Sequence, residues 1–132
     1  MPTDAMIQAA TAIRARAYAP YSKFLVGAAI RAEDGAIFAC CNVENAAYPQ
    51  GVCAEGGAIS MMVAAGQTRI AEVVVAGPNG AACTPCGGCR QKIREFAGPA
   101  TVVTMVDADG VVVMSRTLME LLPDSFGPEH LG

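Results

Sequence analysis

The apolar positions of this chain change their period along its length, and those changes lay out its elements. From Asp4 the residues Met6, Ile7, Ala10 and Ile13 recur at helical spacing, while Arg14 and Arg16 fall toward the other side. Thr3 or Asp4 can cap that first helix, and Pro20 is expected to end it. Phe24 to Arg31 predicts a mostly buried strand, Glu33-Asp34-Gly35 is a turn signal, and Ala36 to Cys41 returns as a second strand. Asn42 to Gly51 has no period and carries Pro49 and Gly51, which predicts a loop. Cys53 to Ala65 predicts a helix ended by Gly66. Gly56 and Gly57 weaken its first turn by about 1 kcal/mol each relative to Ala, so this helix needs a buried setting whose packing offsets the loss. Ile70 to Ala76 is a Val-rich third strand, and Gly77 to Pro85 a loop. Cys86 to Phe96 predicts a second central helix with Ile93 and Phe96 toward a sheet. Ala100 to Val106 and Val111 to Met114 are strands four and five, around Asp107-Ala108-Asp109-Gly110. Thr117 caps a short helix, Leu118 to Leu122, which Pro123 stops, and the tail to Gly132 is expected to be an extended arm.

The resulting order is α-β-β-α-β-α-β-β-α. Helices between strands imply crossovers over a sheet, so the expected fold is an α/β three-layer sandwich, α/β/α. At 132 residues the chain is expected to form one domain over residues 1–132. The 53% of apolar residues suffice for a core, and only 16% charged residues hints at surface buried in an oligomer. Net charge is −3, and the nine Lys and Arg are scattered apart from Arg90, Lys92 and Arg94. That argues against a binder of phosphate backbones and for a small neutral ligand, with no nucleic acid and no membrane partner. No stretch reaches the length of a membrane span, and Met1-Pro2-Thr3-Asp4 lacks the basic start of a secretory leader. The six cysteines therefore read as metal ligands or reduced thiols in a cytoplasmic protein.

Two short stretches carry the chemistry: Cys53-Ala54-Glu55 and Pro85-Cys86-Gly87-Gly88-Cys89. Each falls at the start of a predicted helix, where the dipole lowers thiol pKa values. Three thiol ligands with an open fourth position form the arrangement of a catalytic zinc site. Glu55 need not be a ligand; it can relay the proton of a water whose pKa zinc lowers from about 16 to about 7. Thiol ligands with a non-ligand Glu are the pattern of the zinc deaminases. Two duller readings stand beside this one. A structural zinc site would use Cys83 as a fourth thiol, and a redox pair would use a Cys-x-x-Cys, but neither needs Glu55. By itself Glu55 is an ordinary helix-start carboxylate. Cys40, Cys41 and Cys83 are assigned to packing, and His130, the sole histidine, to the surface. Spacing alone promotes none of Phe24, Phe126, Asn42 and Glu44 beyond core aromatic, tail anchor and solvated loop.

Further motifs run along the chain: Ala19-Pro20-Tyr21-Ser22-Lys23-Phe24, Val26-Gly27-Ala28-Ala29 and Cys41-Asn42-Val43-Glu44-Asn45-Ala46-Ala47-Tyr48. They continue through Cys53-Ala54-Glu55, Pro85 to Gln91, and Leu121-Leu122-Pro123 to Phe126. On these residues, over nearly its whole length, the chain resembles the small homotetrameric zinc-dependent cytidine deaminases. The resemblance implies a five-stranded mixed sheet between helices, one zinc per chain on Cys53, Cys86 and Cys89, and Glu55 as proton shuttle. It implies further that Asn42 and Glu44 bind the ribose, that Phe24 lines the base pocket, and that Ala54 belongs to the substrate-binding residues. Phe126 would pack over the base in an adjoining subunit's site. The implied reaction converts cytidine and 2′-deoxycytidine to uridine and 2′-deoxyuridine with release of ammonia, in pyrimidine salvage. A deaminase of the same fold acting on another amino-substituted base or nucleoside is the nearer alternative, and a structural zinc domain the more distant one. One position departs: many members carry Arg directly after the Glu, where this chain has Gly56. Arg90 and the two helix starts are then expected to offset the negative charge of the centre.

Overall fold

The computed structural model describes residues 3–132. Its first helix, α1 (Asp4–Arg14), is capped by Thr3, whose side chain accepts the Met6 amide, and it buries Met6 and Ala10. It stops short of Pro20. Beyond it the Tyr18 amide donates to Asn42 O at 3.0 Å, and Tyr18 O accepts from the Glu44 amide at 2.8 Å. The chain thus leaves the helix early to pair with the segment after the second strand. That strand, β2 (Ile37–Cys41), pairs antiparallel with β1 (Gly27–Ala32) through the expected turn. Strand β1 begins at Gly27, later than the expected Phe24. The Phe24 carbonyl and the Val26 amide are taken by the Asn42 side chain instead. Gly27 is required by contact: a Cβ there would run into Ala10 O and the Arg14 backbone, because α1 lies directly on β1.

Helix α2 (Ala54–Ala64) starts at Cys53 as its cap and leads to β3 (Ile70–Ala76). Helix α3 (Gly87–Phe96), capped by Cys86, joins β3 to β4 (Val102–Val106). The sheet closes with β5 (Val112–Thr117), which runs past the expected Met114. There the polar Ser115 and Arg116 still pair with β4, on an edge whose burial alternates. Thr117 then caps α4 (Leu118–Leu121) through a reciprocal capping box with Glu120.

The sheet order is β2-β1-β3-β4-β5, with β3 and β4 parallel and every other pair antiparallel. Strands β2 and β3 both run antiparallel to β1, so they are parallel to each other. The crossovers through α2 and α3 step the same way along the sheet, and one handedness places both helices on one face. That face holds the larger core, where Ala58, Ile59 and Met62 of α2 and Ile93 of α3 meet Ile30, Val73, Val75, Val103 and Met105. On the other face α1 packs Met6 and Ala10 against Ala29, Val74, Ala76 and Val106. This is the expected α/β/α sandwich. The same topology starts α2 and α3 side by side, beyond the carboxyl ends of parallel strands, which is where open α/β sheets place ligands.

The tail departs from the expected extended arm. Residues Pro128–Leu131 form a turn of 3-10 helix. Gln91 Nε2 donates to Phe126 O at 2.9 Å, Arg94 Nε donates to Ser125 Oγ at 3.0 Å, and Arg94 pairs with Glu129 at 2.6 Å. The tail is therefore strapped along α3.

Candidate functional site

Two helix starts meet, and the thiols meet with them. The Sγ atoms of Cys53, Cys86 and Cys89 all lie within 4.8 Å of one another. Cys53 and Cys86 are the caps of α2 and α3; neither side chain makes a full capping hydrogen bond, though the Cys86 thiol faces the Cys89 amide of its own first turn. Cys89, one turn into α3, is buried, Cys53 is half-buried and Cys86 is exposed, so the cluster is walled on one side and open on the other. Three thiolates at about 2.3 Å from one tetrahedral zinc would sit about 3.8 Å apart, so the donor set fits zinc with little closure. Among the described residues this is the sole group of its kind, and Cys83 is not part of it. Cys83 packs instead against the large core, where burial pushes its thiol up to about 11.

Crowding shifts the thiols in different directions. Burial pushes the Cys53 and Cys89 thiols up, and neighbouring negative groups add to the effect. Cys86 goes the other way, held down mainly by the Cys89 backbone amide in the first turn of α3. A divalent cation held by Cys53, Cys86 and Cys89 would invert this balance and keep all three thiols ionised.

Glu55 is 5% exposed, in the first turn of α2. Burial raises its carboxyl pKa, while its own backbone amide, the Cys89 thiol and the charge of Lys92 pull in the opposite direction. A carboxyl raised by burial, with the Cys89 thiol among its neighbours, is suited to taking up and returning a proton.

An open groove of about 460 Å³ leads to Cys53, and its wall includes Tyr21, Asn42, Glu44, Tyr48 and Val52. Asn42 and Glu44, which the resemblance implies bind a ribose, both line this groove, and their polar atoms already have partners. Asn42 accepts from the Val26 amide at 2.9 Å and donates to Phe24 O at 2.9 Å. Glu44 accepts from the Tyr21 amide at 3.0 Å, the Ser22 amide at 3.1 Å and the Ser22 hydroxyl. Those bonds hold its carboxyl below the usual carboxylate range, the Ser22 hydroxyl foremost. Phe24, Ala54 and Phe126 are not in the groove wall. Phe24 is exposed, Ala54 is buried behind Cys53, and Phe126 stacks on His130 with ring centroids 5.0 Å apart. His130, half-exposed, bonds the Gly127 backbone and holds no metal position.

Arg90 bonds two backbone carbonyls. Its guanidinium donates to Pro85 O and Leu121 O, both at 2.7 Å, which fixes the loop before Cys86 to the end of α4. Sequence reasoning passed over Lys92, which is the cation that acts on Glu55. Its position three residues after Cys89, on the same side of a helix, is the signal that would have found it.

The family model described as the cytidine and deoxycytidylate deaminase zinc-binding region matches residues 2–106. A cytidine deaminase of Sporosarcina psychrophila is 38% identical over 131 residues, covering 99% of this chain and 96% of that protein. One of Mycobacterium tuberculosis (strain ATCC 25618 / H37Rv) is 37% identical over 122 residues, covering 92% and 87%. The crystal structure of cytidine deaminase from Burkholderia pseudomallei superposes with a TM-score of 0.88 at 42% identity, covering 96% of this chain and all of that one. That of cytidine deaminase from Mycobacterium tuberculosis gives 0.83 at 35%, covering 96% and 99%. With matches that span the metal ligands, Glu55 and the whole sheet, the chain belongs to the cytidine and deoxycytidylate deaminase zinc-binding family.

Proposed function

We propose that this protein is a cytidine deaminase, converting cytidine and 2′-deoxycytidine to uridine and 2′-deoxyuridine with release of ammonia. The observation that carries the reading is the open cluster of Cys53, Cys86 and Cys89 beside the buried Glu55, with a groove running up to Cys53. The three cysteines would hold one zinc per chain. Bound there, zinc supplies a Lewis acid that brings a water to ionise near neutral pH, from about 16 to about 7. Glu55 would take the first proton of the attacking water and deliver it to ring N3, so that C4 becomes electrophilic and bonds the water oxygen; it would then take the second proton from that oxygen and pass it to the 4-amino group, whose bond to C4 breaks as ammonia leaves. Asn42 and Glu44 shape the sugar side, by direct contact with the ribose hydroxyls and through the segment they hold. Glu44 retains acceptor capacity for a hydroxyl, because a carboxylate offers about four lone-pair sites.

The protein acts as one domain over residues 1–132, in the cytoplasm, within pyrimidine salvage. Among the described residues no helix is long and apolar enough to cross a membrane. A homotetramer with sites at subunit interfaces accounts for the exposure of Tyr18, Tyr48, Phe24 and Phe126 around the groove and tail. Phe24 and Phe126 would complete the base pocket there, one in each of two neighbouring subunits.

The test is to incubate purified protein with cytidine and follow ultraviolet absorbance, with and without a zinc chelator. Loss of the cytidine signal that stops on chelation and returns with added zinc is the expected result. Protein carrying one zinc per chain that leaves cytidine and 2′-deoxycytidine untouched would overturn the substrate, and turnover of another amino-substituted base would replace it.

A further inference from the structure

With one divalent cation bound, the centre would keep an excess of negative charge. Three thiolates exceed the charge of one divalent cation, and ionised Glu55 adds to the excess. Of the cations closest in sequence, Arg94 has its charge met by a carboxylate, while Arg90 keeps its charge but is held in place by two neutral carbonyls. Arg90 is bound to Pro85 O and Leu121 O, and Arg94 to Ser125 and Glu129. Lys92 is different. It follows Cys89 by one helical turn of α3 and takes part in no ion pair among the described residues.

Its placement depends on a missing side chain. Gly56 follows Glu55 in the first turn of α2, and a Cβ built on it would meet Lys92 Nζ at 3.5 Å and Lys92 Cδ at 3.7 Å. The lysine stem thus lies against bare backbone of the neighbouring helix. Its ammonium sits beside the turn that carries Glu55, one residue beyond the Cys53 and Ala54 start. Gly56 costs helix propensity there, about 1 kcal/mol relative to Ala, yet it leaves room for a cation from α3.

We propose that Lys92 is a positioning residue of the metal centre, whose ammonium, lodged over Gly56, offsets the negative charge of the three thiolates and Glu55. The proposal rests on the zinc reading of the cysteine cluster. It concerns charge, and charge can be separated from packing. Lys92→Met keeps most of the stem and loses the cation. Lys92→Arg keeps the cation. Gly56→Arg combined with Lys92→Met returns a cation to the same gap from the other helix.

The experiment loads each purified protein with zinc and measures its affinity by competition with a chromophoric chelator at low and at high salt. Lys92→Met is expected to weaken zinc binding about tenfold at low salt, within the range found for residues that support metal ligands. Lys92→Arg and the double variant are expected to recover most of it. Because Lys92 is exposed, the difference between wild type and Lys92→Met should shrink as salt screens the charge over about 3 Å at 1 M. Equal affinities for wild type and Lys92→Met at low salt would overturn the proposal. So would equal weakening by Met and Arg with no recovery in the double variant, since that is the mark of packing. Zinc binding without cytidine turnover in the wild type would sink the deaminase reading while leaving these affinities readable.

Discussion

The two sides of the site are built on different principles. On the metal side the reactive atoms are placed by the fold: Cys53 and Cys86 begin helices whose starts the sheet topology sets side by side, and Glu55 and Cys89 follow within a turn. On the groove side the chain is irregular, and its polar groups first hold one another. Asn42 and Glu44 tie down residues 21 to 26, a stretch in which Lys23 adopts a left-handed φ of 61°. Such a conformation costs a non-glycine residue on the order of 1–2 kcal/mol and needs partners to persist. The difference teaches that a polar residue facing a groove can serve the ligand by holding the wall as well as by touching the ligand.

Substitutions can separate the two principles, and the largest effect belongs to the metal side. Cys89→Ala removes a buried ligand and should empty the centre, with zinc content and turnover falling together; retention of one zinc per chain would break the assignment. Glu55→Gln should keep zinc, as measured by metal analysis, while kcat falls about 10²–10⁴-fold, the usual contribution of a general acid–base group. On the groove side Asn42→Ala removes two hydrogen bonds of about 1 kcal/mol each. It is expected to raise KM about tenfold with a smaller change in kcat, measured by steady-state kinetics. An equal fall in kcat at unchanged KM would place Asn42 with the chemistry and erase the comparison.

The smallest effect is a pH dependence. Glu44 has its carboxyl lowered by the Ser22 hydroxyl and the Ser22 and Tyr21 amides. A lowered folded-state value means that its hold on residues 21 and 22 is complete above the unfolded value of about 4.3 and is lost as pH falls through the lowered one. The Tyr21 and Ser22 amide resonances should therefore titrate together with a midpoint below about 4.3. A midpoint at or above that value would show that the bonds do not favour the ionised form.

The legibility of the sequence divides along the same line. Ligands at helix starts are legible because a local pattern fixes them: the spacing within Cys86-Gly87-Gly88-Cys89 spans one turn, and Cys53 precedes an unbroken apolar run. Strand β3 is legible for the same reason, its Val run having only one use. The end of α1 and the start of β1 were misplaced because both are set by Asn42, Glu44 and Tyr18, partners distant in sequence. The tail was misread as an arm because Gln91 and Arg94 give no local sign that they bind residues 125 to 129. Lys92 shows its meaning only beside Gly56, which lies on another helix.

Helix α3 carries ligands at its first turn and, on its next turns, the side chains that strap the tail. The metal and the carboxyl-terminal segment therefore draw on one rigid body. Whatever free energy zinc contributes to ordering α3 also favours the seated tail, and by reciprocity a seated tail tightens zinc by the same factor. Protease resistance of the last residues thus becomes a gauge of metal occupancy, readable without any substrate.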